Sequence, residues 1–328
     1  MKERILKLLK TEGSQYLSGQ LISEKIDVSR ASIWKHIKQL KEEGYIIEAS
    51  SKIGYRLISC PDLLTAKEIK EFLNTKYIGN KIFHYDSINS TNNKAKELAL
   101  LGEKEGSVII AEDQSFGRGR MGRNWVSTKY KGIWMSIIIR PIIVPERMAI
   151  LTQIAAAAVG KTLENLGLKP SIKWPNDIYI NSKKVCGILT EMSGEFNQID
   201  DVVIGIGINV NQDAEDFNEE LKKAATSLKI EMNRVISRKE VTANLLFNFE
   251  NLYNEFVLQD NAKTSICFCR ENSLLLGKEI QLIKRGELLQ VKALDINEDG
   301  NLLVEYSDGK IDKLLSGEVS MNGISNLF

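Results

Sequence analysis

The sequence predicts an α+β protein in three parts, since 328 residues are more than one hydrophobic core fills. Three observations set the division. Residues 1–60 read as three short amphipathic helices and a hairpin, residues 64–272 as strands and helices alternating around one mixed or antiparallel sheet, and residues 273–328 as short strands of a small barrel. Charge divides in the same way. The first 60 residues carry eleven Lys/Arg against seven Asp/Glu, so +4, which leaves −3 for the remainder of a chain whose net charge is +1. The excess points to a polyanionic partner for the front part alone.

In the front part, Ile5, Leu6, Leu8 and Leu9 alternate with charges at helical spacing over residues 2–11. A second helix begins near Ser18 and is expected to bury Leu21, Ile22 and Ile26. Ser29 then stands where an N-cap is needed for a third helix that ends near Gly44, with Ile33, Ile37 and Leu40 on its inner face. Three helices in this order resemble a helix-turn-helix. The face opposite the apolar stripe carries Ala31, Ser32, Lys35, Lys38 and Gln39, small and polar groups suited to base edges or phosphates, and Arg30 opens the helix for a phosphate contact. His36 lies beside the apolar face and is expected to pack. Residues 45–49 and 54–58 read as a hairpin with Lys52 at its tip and Arg56 on its second strand, resembling the wing of a winged helix-turn-helix. DNA is the expected partner, a protein-binding module of the same build the alternative. Ser59-Cys60-Pro61-Asp62 reads as a linker.

The middle part opens with a capping box, Thr65 and Glu68. Strands are expected at 82–86, 107–112 and 132–139, and helices at 91–101, 238–258 and 262–271. Between two of the strands runs Gly117-Arg118-Gly119-Arg120-Met121-Gly122-Arg123-Asn124-Trp125, three guanidiniums on a backbone that three glycines leave almost unrestrained. Glycine permits close approach of the backbone, and arginine presents a planar fork to carboxylate or phosphate oxygens, so the loop is built to wrap an anion. Four other segments stand out: Ser90-Thr91-Asn92-Asn93, Lys173-Trp174-Pro175-Asn176-Asp177, Lys184-Val185-Cys186-Gly187-Ile188-Leu189 and Gly205-Ile206-Gly207-Ile208-Asn209. Taken singly they are a helix cap, a tight turn and glycines that relieve crowding between strands.

Taken together, their order resembles that of the biotin-protein ligases. With the winged helix in front, the chain is similar over essentially its whole length to the bifunctional bacterial form, which is ligase and biotin operon repressor in one polypeptide. The resemblance implies a catalytic domain like those of class II aminoacyl-tRNA synthetases, and a reaction in which ATP and Mg²⁺ convert biotin to biotinoyl-5′-AMP before the acyl group passes to a lysine of a biotin carboxyl carrier protein. It assigns Ser90, Thr91, Asn92, Gln114, Gly119 and Gly187 to biotin. Arg118, Arg120 and Lys184 serve both biotin and catalysis, whereas Arg123, Trp125, Asn176, Asp177 and Asn209 line the nucleotide end. No residue is assigned to metal, which arrives with ATP. Operator DNA is the second partner, and a ligand-loaded homodimer binds it. Loop 116–125 is expected to be mobile when empty and ordered when loaded.

The tail reads as short strands at 278–283, 289–294, 302–306 and 310–314, with turns at Asp299-Gly300 and Ser307-Asp308-Gly309, an SH3-like barrel. Ser316-Gly317-Glu318-Val319 resembles the family's closing motif. Cys60, Cys186, Cys267 and Cys269 lack the spacing of a zinc site or disulfide framework, and free thiols are expected. No apolar run approaches the roughly 20 residues that span a bilayer. The start Met1-Lys2-Glu3-Arg4 lacks the apolar core of a secretion signal, so a cytoplasmic protein with no membrane partner is expected. A biotin-sensing repressor without catalysis and a lipoate-type ligase are the alternatives.

Overall fold

The computed structural model describes residues 1–328 except 14, 43, 51–52, 196–197, 285–286 and 321–328, so Lys52 lies outside the described residues. The chain forms two compact units, Met1–Asp62 and Leu63–Phe328.

The first unit holds α1 (Lys2–Thr11), α2 (Gly19–Ile26), α3 (Arg30–Glu42) and the antiparallel hairpin β1 (Ile46–Ser50) and β2 (Gly54–Ser59). Ser18 Oγ accepts from Leu21 N at 3.1 Å and Ser29 Oγ from Ser32 N at 3.2 Å, so both predicted caps start their helices. Ile5, Leu6, Leu9, Ile22, Ile26, Ile33, Ile37 and Leu40 make the core. Leu21, expected inside, is instead exposed. Ile22 and Ile26 are one helical turn apart and define the buried stripe, which leaves Leu21 about 100° away from it. Leu17 adds a bridge to Tyr55 on β2, and a Cβ at Gly54 (φ +112) would lie 2.0 Å from Leu17 O, so only glycine admits that pairing.

The second unit begins with α4 (Ala66–Lys70), whose cap is Thr65 Oγ1 accepting from Glu68 N at 3.3 Å. It continues with β3 (Ile82–Tyr85), α5 (Thr91–Leu100), β4 (Val108–Ala111), β5 (Gly132–Ile139) and α6 (Met148–Asn165), then β6 (Ser171–Lys173), β7 (Asp177–Ile180), β8 (Lys183–Glu195) and β9 (Gln198–Asn209). The sheet order is β3-β4-β5-β9-β8-β7-β6, parallel between β3 and β4 and antiparallel elsewhere. The expected alternation of strands and helices therefore stops after α6. Four strands follow one another, and Asn181 and Ser182, with φ of 48° and 65°, supply the left-handed pair that turns β7 directly into β8. Helices α7 (Leu221–Ala224), α8 (Leu228–Met232), α9 (Arg238–Gln259) and α10 (Lys263–Glu271) complete this part.

Period-2 alternation sorts the two faces of the sheet. Ile133, Ile137 and Ile139 of β5 and Ile204 and Ile208 of β9 join the core made with α6 and α9. The intervening Ile138 and Val203 pack with Ala95 and Ala99 of α5 on the other face. Ser136, Gly205 and Gly207 also lie on that second face, and their small size keeps it clear beside α5. At the start of β5 a buried charge is fully engaged: Arg238 Nη1 donates to Glu112 Oε2 (2.7 Å) and Gly132 O (3.0 Å), while Glu112 Oε1 accepts from Leu64 N at 2.8 Å.

The tail is a five-stranded antiparallel sheet in the order β13-β12-β11-β10-β14, from β10 (Glu279–Lys284), β11 (Glu287–Ile296), β12 (Leu302–Glu305), β13 (Ile311–Leu314) and β14 (Glu318–Ser320). Ile280, Leu282, Val291, Leu302 and Val304 run into the same core as α6, and Trp174 Nε1 donates to Gly300 O at 2.9 Å, so the tail sheet is fastened to the central one beside the β6–β7 turn. Among the described residues no helix is long and apolar enough to cross a membrane.

Candidate functional site

The cleared face of the central sheet becomes a cleft of about 990 Å³, open mouth included, walled by α5, the 117–125 loop, the β6–β7 turn and β14. Of the residues assigned to biotin, catalysis or the nucleotide in the sequence, every one except Asn209 lines it.

One end is neutral and polar. Thr91 N and Oγ1 donate to Gln114 Oε1 at 2.8 and 3.1 Å, and Gln114 Nε2 donates to Ser127 Oγ at 3.0 Å. Ser136 Oγ lies 2.8 Å from Thr91 Oγ1 and 2.6 Å from Asn92 Oδ1, with one proton to share between them. Ser90, Thr91 and Asn92 are all buried. Ser90 holds the N-cap position of α5 yet makes no capping hydrogen bond, so its hydroxyl is not committed to starting the helix. A Cβ at Gly205 would stand 2.1 Å from Asn92 Oδ1, so that glycine is what lets Asn92 lie on the sheet.

The other end is cationic. Lys184 is buried, with Nζ 2.9 Å from Asp177 Oδ1 and 5.4 Å from the centre of the Trp125 ring. Arg120 reaches across from the loop, Nη1 donating to Asn176 Oδ1 at 3.0 Å and Nη2 to Gly317 O at 3.1 Å, and burial pulls its pKa below the ordinary guanidinium value. Arg123 completes this rim, while Arg118 turns toward the α5 end, Nη2 donating to both carboxylate oxygens of Glu191 at 3.0 Å. Lys173, absent from the residues picked out individually in the sequence, is buried in the same wall. Burial pushes its pKa down to about 8, with Lys184 and Arg123 adding to the shift and Asp177 opposing it.

Local geometry explains these placements. The Lys173–Asp177 run is the β6–β7 turn, with a cis Trp174–Pro175 bond, and Asn176 is stitched to β8 by Nδ2 donating to Ile188 O (3.0 Å) and by Ile188 N donating to Asn176 O (3.0 Å). The loop closes on itself through Trp125 N to Gly117 O and Gly119 N to Arg123 O, both 2.8 Å. A Cβ at Gly117 would meet Trp125 O at 2.4 Å, which is why the loop's first position is glycine. Trp125, expected at the nucleotide end, packs on Gly187 and Gly207 and meets Trp134 edge-on, ring centres 6.1 Å apart.

Asn209 is placed elsewhere. Its Nδ2 donates to Thr226 O at 3.1 Å and its Oδ1 accepts from Gln212 Nε2 at 3.2 Å, which fastens the segment after β9. Besides Lys173, two residues that hold the lining from behind were missed. Ser136 is a lone hydroxyl in an apolar strand, a signal visible in the sequence. Glu191 has no local signal, because its partners come from α5 and the loop.

In the first unit, Arg30, Ala31, Lys35 and Lys38 are exposed on α3, while Ser32 and Gln39 are half-buried. Arg30 Nη2 donates to Gln20 Oε1 at 3.2 Å, and His36 Nδ1 and Gln39 Oε1 are 3.0 Å apart. Arg56 donates to Glu48, its partner midway along the hairpin, at 2.6 Å and stacks over Tyr16 with 4.7 Å to the ring centre. Trp34, not foreseen, stands 61% exposed on the same helix, an apolar plate beside two lysines.

Three family models match the chain: the biotin/lipoate A/B protein ligase family over residues 85–209, an HTH domain over 2–56 and the biotin protein ligase C-terminal domain over 275–321. The bifunctional ligase/repressor BirA of Bacillus spizizenii is 39% identical over 322 residues, covering 98% of each chain. The chain belongs to the bifunctional biotin protein ligase family. Escherichia coli BirA is 32% identical over 94% of this chain and 93% of its own. The biotin protein ligase from Aquifex aeolicus, solved in complex with biotin and ATP, superposes with a TM-score of 0.63 at 30% identity, covering 74% of this chain and 98% of that one.

The family implies a divalent cation. Among the described residues no group of three or more His, Cys, Asp or Glu can cage one. The cleft does present Asp177, whose Oδ1 makes an ion pair with Lys184 but no hydrogen bond of good geometry. One hard carboxylate beside a cationic wall suits Mg²⁺ carried in by a triphosphate.

Proposed function

We propose that this protein is an ATP-dependent biotin-protein ligase, which makes biotinoyl-5′-AMP and passes biotin to a lysine of a biotin carboxyl carrier protein, and is also a repressor of biotin genes with the adenylate as corepressor. The observation that carries the reading is one cleft with a neutral hydrogen-bonding end and a cationic end separated by the glycines of β8 and β9.

The chemistry follows from that polarity. A cyclic urea has two N–H donors and one carbonyl acceptor, and Ser90, Thr91, Asn92 and Gln114 offer hydroxyls and amides to match them. Biotin held there directs its carboxylate toward Lys184. Bringing that carboxylate to the α-phosphate of ATP means joining two anions, and Lys184, Lys173, Arg120 and Arg123 offset the repulsion without a covalent protein nucleophile. Asp177 would help hold Mg²⁺ brought in with the triphosphate, which would supply further charge neutralisation. The carboxylate oxygen attacks the α-phosphorus, so a phosphorus–oxygen bond forms as the α–β phosphoanhydride breaks and pyrophosphate leaves; the carrier's amine then attacks the acyl carbon, loses a proton and displaces AMP. Arg118 and Arg120 close the loop over a mixed anhydride that water would otherwise hydrolyse.

For the DNA half, α3 enters the major groove of an operator, with Trp34 beside Lys35 and Lys38, and two copies in a ligand-loaded homodimer read a palindrome. A cytoplasmic site of action belongs to this proposal, and free thiols at all four cysteines suit a reducing compartment. The test mixes protein, ATP, Mg²⁺ and labelled biotin. Biotinoyl-AMP retained on the protein and a labelled carrier lysine are expected, with tighter operator binding once the adenylate forms. Labelling by lipoate in place of biotin, or operator affinity indifferent to biotin plus ATP at fixed salt, overturns the corresponding half.

Lys173 gives this reading a pH signature. Its charged form is lost as pH rises through about 8, so the cationic wall weakens there. KM for ATP is expected to rise above pH 8 in the wild type and to stay flat to pH 9.5 in Lys173→Arg, because arginine keeps its charge. Parallel profiles for the two proteins would remove Lys173 from nucleotide binding.

A further inference from the structure

We propose that Glu191 on β8 is a positioning residue of the ligase half, a latch that holds the arginine loop to the biotin end of the cleft. The inference rests on the ligase reading for its kinetic consequences, and on geometry alone for the latch itself.

Two side chains of the loop reach out to distant anchors. Arg120 goes to the β6–β7 turn and β14, at the cationic end. Arg118 goes the other way, to Glu191, and the same carboxylate also accepts from Asn92 Nδ2 at 2.7 Å and Lys96 Nζ at 2.6 Å, both from α5. One acid thus ties loop, helix and sheet together. Asn92 is the consequential member. Its carbonyl end lies 2.6 Å from Ser136 Oγ, and its amide end donates to Glu191 at 2.7 Å and more weakly to Leu189 O at 3.3 Å, so the carboxylate is the stronger of two acceptors that set which way a residue lining the biotin end presents its donor and acceptor.

The charge count favours a switchable latch over an inert strut. Two cations face one carboxylate that keeps a fifth of its side-chain surface exposed. Burial would raise the pKa of Glu191, but hydrogen bonds from Lys96 and Asn92 and the nearby Arg118 charge outweigh it and hold the acid ionised. Lys96 already supplies one counter-charge, so Arg118 can leave without stranding a bare anion in a low-dielectric site. Its release then costs an ion pair that is partly open to water and not a buried one, which suits a loop that must open for substrate and close over the adenylate.

The isosteric variant Glu191→Gln removes the charge and leaves two cations competing for one amide oxygen. In the ligand-free protein, limited trypsin cleavage at Arg120 or Arg123 is expected to quicken about tenfold with melting temperature unchanged, and KM for biotin to rise about tenfold while kcat for adenylation stays within about twofold, the loss of one charge-assisted hydrogen bond. Arg118→Gln is read by cleavage alone, since Arg118 also serves the ligand, and should quicken it to the same extent without altering β8. Because the two residues act through each other, the double variant should be no worse than either single one, and Glu191→Asp should recover part of the biotin KM. Wild-type cleavage and KM in Glu191→Gln, or additive effects in the double variant, overturn the latch. The cleavage assay needs no ligand. Accelerated cleavage in a protein that makes no adenylate would uphold the latch and sink the ligase reading, whereas unchanged cleavage with normal adenylation does the reverse.

Discussion

Lys184→Gln is expected to lower the rate of adenylate formation by on the order of a thousandfold, the upper range for removing a preorganised charge from a developing one. The size of the effect follows from placement. Lys184 is 5% exposed at the start of β8 and carries its charge where little water can screen it. Its Nζ is 2.9 Å from Asp177 Oδ1, so the substitution also strands a carboxylate that is only 16% exposed on its side chain. Breaking a buried pair costs about 3–5 kcal/mol. Partial exposure of Asp177 puts the expected loss toward the lower end, and a fall in stability will accompany the fall in rate. Asp177→Asn in the same chain separates the two. It removes the orphaned charge and should restore most of the melting temperature, yet leave adenylation slow, because the missing cation has not been replaced. Single-turnover release of pyrophosphate together with thermal unfolding reads both quantities. Recovery of rate along with stability in the double variant would mean that Lys184 acts only as the partner of Asp177.

The parts of this molecule that were legible in the sequence are those whose causes are local. Ile33, Ile37 and Leu40 announce the inner face of α3 through helical spacing, Ser18 and Ser29 announce their helices through cap chemistry, and the Gly/Arg loop announces an anion by its composition. Leu21 shows the limit of such reading. Its spacing is one residue out of phase with the stripe that packs, and a count of apolar residues does not reveal which phase wins. The run of four strands from β6 to β9 was hidden because the left-handed backbone at Asn181 and Ser182 belongs to residues without the Asn-Gly signature of a hairpin. The site's cross-links were hidden for a different reason. Glu191 meets Asn92, Lys96 and Arg118 across 99, 95 and 73 positions in sequence, distances over which pattern carries no information until the sheet order is known. Asn209 illustrates the converse. A motif residue at the end of β9 turns out to hold Thr226 and Gln212, work that neither the motif nor its spacing distinguishes from binding.

Arg120→Gly separates making the intermediate from keeping it. Arg120 sits in the middle of the loop and donates from one guanidinium to Asn176 of the β6–β7 turn and to the Gly317 carbonyl beside β14, so a single side chain clamps three segments that approach one another only in the folded unit. Glycine removes both bonds and frees the backbone at that point as well. Lys184, Lys173 and Arg123 remain in the wall, so biotin and ATP still react, with adenylation slowed by no more than about tenfold. Retention suffers far more. Two charge-assisted hydrogen bonds, at about 1.5–3 kcal/mol each, correspond to at least a hundredfold faster escape of the adenylate, even after allowance for partial exposure. Escaped biotinoyl-AMP acylates any nearby amine, so the variant should label bystander proteins such as added albumin while wild-type protein labels the carrier alone. The loss is distinct from that in Lys184→Gln, where adenylate forms on the order of a thousandfold more slowly and bystanders gain little label. A wild-type half-life of the bound adenylate in Arg120→Gly, measured by gel filtration after a pulse of labelled biotin, would show that the loop is held shut by other contacts. The Arg118–Glu191 latch at the opposite end would then be the first to test, since a loop fastened at two ends opens only when the stronger fastening lets go.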